Sequence, residues 1–127
     1  MILSDSAKGE PTQYSPISSA LLMTRADFCA PHRSVCAKMV QGFVAATRIV
    51  RTQPEETLAI MKARYGTYDD KVLNAAYEMV RAMTPDPPVT TAKELENGEL
   101  MNIAAGLLKP EEKLAGYDAL IDNEFVE

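Results

Sequence analysis

Val35, Met39, Val40, Phe43, Val44, Thr47 and Val50 recur at spacings of three and four, and no other pattern constrains the fold of this chain as tightly. That spacing puts them on one face of an α-helix, predicted to start at Ala30-Pro31-His32 and to run to about Arg51. Pro31 suits a first turn, where its missing N–H has no intrahelical partner to lose. Pro54 after Thr52 and Gln53, with Glu55 and Glu56 behind it, signals a second helix whose acidic start complements the macrodipole. Its apolar positions are Leu58, Met61 and Tyr65, and Gly66 ends it just past the cap. Thr67 to Asp70 opens a third helix carrying Val72, Leu73, Ala76, Val80 and Met83. Pro85, Pro87 and Pro88 then stop the chain, because none of them can continue a helix.

Thr91 and Glu94 fit a capping box and open a fourth helix, predicted to reach about Leu108 through Leu95, Met101, Ala104 and Leu107. Gly98 sits in the middle of that pattern and costs it about 1 kcal/mol relative to alanine. Ahead of the helices, Ile2 to Ser4 is a short apolar start, and Gly9, Pro11 and Pro16 mark a loop. Ile17 to Arg25 reads as a strand between Pro16 and Asp27, although its Ala-Leu-Leu-Met run is also compatible with a helix. The tail GYDALIDNEFVE holds a helical turn around Asp118 to Ile121 and ends on Phe125 and Val126, which need somewhere to pack. The expected architecture is mainly α: four to five helices with one or two short strands. It is expected as a single domain over residues 1–127, with 1–16 a loop-rich lead-in.

At 127 residues the chain has the usual size of one domain, and 46% apolar with 24% charged residues suits a folded protein. A net charge of -5 opposes binding to phosphate backbones, so nucleic acid is not an expected partner. The apolar runs Ala20 to Met23 and Ile103 to Leu108 are far shorter than the roughly 20 residues of a membrane-spanning helix. The start has neither the basic region nor the apolar stretch of a secretory signal. Cys29 and Cys36 define no disulfide framework or zinc pattern. A bond between them is disfavoured by placing one at a strand end and the other inside a helix.

Few residues suggest chemistry. There is no glycine-rich phosphate loop, HExxH or GxSxG. His32 and Cys36 share a helical face, as a base and a nucleophile would, but nothing in the sequence orients the pair. A surface histidine and a buried cysteine are the plainer reading, and no catalytic residue, metal or cofactor is expected. Glu55-Glu56 and Asp69-Asp70 read as helix starts rather than acid/base or metal carboxylates. Met39, Met61, Met79, Met83 and Met101 read as core filling rather than a plastic groove. Tyr14, Ser15, Ser18 and Ser19 form a hydroxyl-bearing run and are the candidate ligand contacts.

In this order, ALLMTRADF, FVAATRIVRTQPEETLAIMKARYG, YDDKVLNAAYEMV and GYDALIDNEFVE resemble the C-terminal segment of periplasmic substrate-binding proteins of ABC importers. That group includes binders of thiamine-pyrimidine precursors, alkanesulfonates, taurine and nitrate. The resemblance covers roughly residues 17 to 127. It rests on Arg25, Asp27 and Phe28 after a hydrophobic strand, on Pro54, Glu55 and Glu56 at a helix break, and on Asp118, Leu120, Asp122, Asn123, Phe125 and Val126 near the end. There is no second copy at the roughly 34-residue period of a helical adaptor array.

The resemblance implies a fragment of the two-lobed α/β (type II) binding-protein fold and non-catalytic binding of a small organic or anionic solute. It also implies an ABC permease as partner and a periplasmic location, with a cytoplasmic one if the chain is expressed as written. Most ligand-contacting segments of the family lie in parts this chain lacks, and Tyr14 to Ser19 is the stretch that borders a cleft. Helices without the lobe they cover would expose Val40, Phe43 and Val44, so a homodimer is expected. The alternatives are a helical protein-interaction module and a fragment of an enzyme like the thiamine-pyrimidine synthases.

Overall fold

The computed structural model describes residues 8–18 and 20–126. Five α-helices carry the fold: α1 (Ala26–Cys29), α2 (Arg33–Thr52), α3 (Pro54–Arg64), α4 (Asp70–Met83) and α5 (Ala92–Ala104). The chain is mainly helical, as its periodicity requires. Rather than gathering about one core, the residues form two compact units. One comprises the described residues up to Arg25 with Val89–Glu124, and the other Ala26–Pro88 with the chain from Phe125.

In the unit built on α2, α3 and α4, Leu73 and Tyr77 of α4 are the best-buried side chains. The Tyr77 hydroxyl donates to the Val50 carbonyl at 3.0 Å, so the ring is buried without stranding its polar tip. Arg51 donates to the Thr84 carbonyl at 2.6 Å and ties the end of α2 to the end of α4. Thr57 is buried at the α2–α3 corner, where its hydroxyl donates to Gln53 O at 2.9 Å and Ile49 O at 3.3 Å. Asp69 caps α4 by accepting from Val72 N–H at 2.8 Å. The tail ends in this unit, with Val126 buried and Arg33 lying 5.1 Å from the centre of the Phe125 ring.

In the unit built on α5, the capping box forms as expected. The Glu94 carboxylate accepts from Thr91 N–H at 2.8 Å, and the Thr91 hydroxyl accepts from Glu94 N–H at 3.3 Å. Asn97, only 1% exposed, donates to the Pro16 carbonyl at 2.7 Å and fastens the lead-in loop to the helix. Asn123 brackets Thr90, accepting from its N–H at 3.1 Å and donating to its carbonyl at 2.9 Å. α5 runs through Gly98 and stops at Ala104, four residues before Leu108. Gly106 there takes a left-handed φ of 72°, and Leu107 and Leu108 donate back to Asn102 O.

Five expectations are corrected. No strand forms among the described residues; 17–18 and 20–25 are irregular, with Leu21, Leu22 and Met23 exposed. A strand needs a neighbour for its backbone groups, and the described residues hold no second strand to supply one. Residues 30–32 form a turn, so α2 begins after Pro31, and Cys29 lies on α1 rather than at a strand end. This brings Cys29 and Cys36 within a Cα separation of 5.9 Å, and they are disulfide-bonded. The stripe on α2 is also wider than the face it buries. Cys36, Val44 and Thr47 face inward while Val35, Met39 and Phe43 are about half exposed. Finally, Met39, Met79, Met83 and Met101 lie on the surface, not in a core. Ile2 to Ser4 lie outside the described residues.

Candidate functional site

A cleft of about 300 Å³ opens in the α5 unit. Its apolar lining is leucine, Leu21 and Leu95 with Leu108, Leu114 and Leu120; its polar lining is Ser18, Glu94, Glu99, Asn102 and Tyr117. α5 supplies Glu94, Leu95, Glu99 and Asn102 from positions one turn apart, which is why they share a face. The left-handed turn at Gly106 carries Leu108 back to this face, and the turn at Asp118–Leu120 presents Tyr117 and Leu120.

Glu99 organises the cleft's polar side. Its carboxylate accepts from Leu114 N–H at 3.0 Å and from the Tyr117 hydroxyl at 2.5 Å. The hydrogen bond to Glu99 pushes the Tyr117 phenol up to about 12, helped by burial and by the charges of Glu99 and Glu96. Glu96, one turn before, is held below the usual carboxylate range by hydrogen bonds from Lys93 at 3.0 Å and Lys113 at 3.1 Å. Both lysines are thus turned to Glu96, and among the described residues no lysine, arginine or histidine lines the cleft.

Of the expected ligand contacts, Ser18 lines this cleft. Tyr14 ends a 3-10 turn over Thr12–Tyr14, donating its N–H to Pro11 O, and Ser15 N–H donates to Thr12 O; neither residue is among the lining side chains. Ser19 lies outside the described residues. No family model, curated protein or solved structure matches this chain. Glu99, Asn102, Leu114 and Tyr117 went unread in the sequence. Their partners come from other turns of the chain, so spacing along the sequence marks none of them; Tyr117 stands just before the motif that begins at Asp118.

The cysteines, His32 and the aspartates weighed for chemistry have structural partners, and Glu55 and Glu56 lie in the first turn of α3. Cys36 is bonded to Cys29 and offers no thiol beside His32, whose ring lies 4.9 Å from that of Phe28. Asp69 caps α4 and Asp70 pairs with Lys62 at 2.7 Å. That ion pair occupies the polar edge of a smaller cleft of about 220 Å³ lined by Leu58, Ala59, Leu73 and Asn74. Among the described residues no group of three or more histidines, cysteines or carboxylates is placed to hold a metal.

Proposed function

We propose that this chain is the C-terminal part of the solute-binding component of an ABC-type importer, holding a small organic solute without chemical turnover and delivering it to a permease. The observation that carries the reading is the composition of the cleft. Ser18, from the stretch expected to border the ligand, meets Leu120, from the terminal motif of the resemblance, and Tyr117, just ahead of that motif, across one leucine-lined concavity. The Cys29–Cys36 disulfide supports a periplasmic location, since such bonds persist in oxidising compartments. Among the described residues no helix is long and apolar enough to cross a membrane. A thermal-shift screen of pyrimidines, sulfonates, nitrate and amino acids, with quaternary ammonium compounds added, tests the reading. One class is expected to raise the melting temperature; no response from any class counts against it.

Of the three residues expected to be exposed, Val40, Phe43 and Val44, Phe43 is about half exposed and Val44 is buried; Phe43 with the half-exposed Val35 and Met39 supports the proposed homodimer. This stripe spans roughly 12 Å of α2, at about 1.5 Å per residue, and Gly42 beside it leaves open space for a close helix approach. The same stripe favours a second reading, a helical module that docks a partner's helix. Light scattering after size exclusion separates the two: a dimer that Phe43→Glu converts to monomer fits self-association, and a monomer fits the module.

A further inference from the structure

We infer that the cleft of the α5 unit takes a cationic small organic molecule, an ammonium group carried on an apolar body, rather than an anion. This inference rests on the solute-binding reading and fixes the charge of what is bound. Glu94 and Glu99 both line the cleft, and among the described residues no cationic side chain lines it with them. Each carboxylate is held in place by donors of its own: Thr91 N–H and hydroxyl on Glu94, Leu114 N–H and the Tyr117 hydroxyl on Glu99. A carboxylate offers about four acceptor sites, so these bonds orient the two groups without using up their capacity.

The surroundings have the same sign. The described residues of this unit carry nine carboxylates against five lysines and arginines, and two of those lysines, Lys93 and Lys113, are paired to Glu96. A sulfonate or nitrate entering the cleft would shed water to face two fixed negative charges with no counter-charge. An ammonium meets the opposite situation, and Leu21, Leu95, Leu108, Leu114 and Leu120 receive its apolar part.

The test is isothermal titration calorimetry of the whole chain with choline, with its uncharged isostere 3,3-dimethyl-1-butanol, and with methanesulfonate. Choline is expected to bind about tenfold or more tightly than the uncharged isostere, a difference of about 1.4 kcal/mol. Glu94→Gln keeps a capping-box residue at this position and should weaken choline alone. An unchanged melting temperature certifies that the variant is folded. Equal binding of choline and the alcohol, or stronger binding of methanesulfonate, overturns the inference while leaving the cleft a binding site. Silence from all three compounds overturns the inference alone, because the solute-binding reading falls only if the wider thermal-shift screen is silent as well.

Discussion

Asn97 is nearly inaccessible to solvent, and its amide satisfies the Pro16 carbonyl across 81 positions of sequence. Asn97→Ala would strand that carbonyl and open a cavity, so it is expected to cost about 1–3 kcal/mol in urea denaturation; a loss below about 0.5 kcal/mol would contradict the bond's role. Tyr117 gives a pH signature. Below its ordinary value of 10 the folded and unfolded chains both carry the phenol proton, and the bond to Glu99 contributes in full. Between 10 and about 12 the unfolded chain deprotonates first, so stability falls as pH rises through this window. A tyrosine absorbance titration should show one phenol persisting to about pH 12, lost in Tyr117→Phe. Neither residue was legible in the sequence. Asn97 stands between Glu96 and Gly98, where a polar residue reads as solvent-facing, and the partners of both residues come from distant segments or turns.

Elements with local chemistry were legible. The Thr91–Glu94 box, the Pro54 break and the stop at Pro85–Pro88 follow from backbone rules that act within a few residues, and each lies where the sequence puts it. Thr91→Ala should therefore cost about 1 kcal/mol, concentrated in faster amide exchange at the start of α5. Gly66 ends α3 as read, through a close approach rather than a left-handed φ: a Cβ there would lie 3.0 Å from the Lys62 carbonyl. What failed was tertiary. The strand over 17–25 needed a neighbour, and none forms among the described residues; the α2 stripe could not say which half of itself would be covered. With Cys29 misplaced, the disulfide was missed as well. The bond closes a loop of sequence separation 7 between α1 and α2. By loop entropy its removal in a Cys29→Ser/Cys36→Ser double variant should cost about 2.5 kcal/mol, read as a lower denaturation midpoint. Loss of helicity confined to the start of α2 would locate the effect there.

The whole chain comprises two units: α1 to α4 with the chain from Phe125, and α5 with the loops that make a cleft. The carboxylates and leucines of that cleft, with Ser18 and Tyr117 among them, are the basis for reading the protein as a binder of small organic solutes. Backbone-amide NMR of the whole chain tests this most directly, by titrating in choline, 3,3-dimethyl-1-butanol and methanesulfonate in turn. The account predicts saturable shifts at Gly98, Asn102 and Leu114 with at least one probe while α3 and α4 stay still. Shifts confined to α2–α4, or none from any probe, would contradict it.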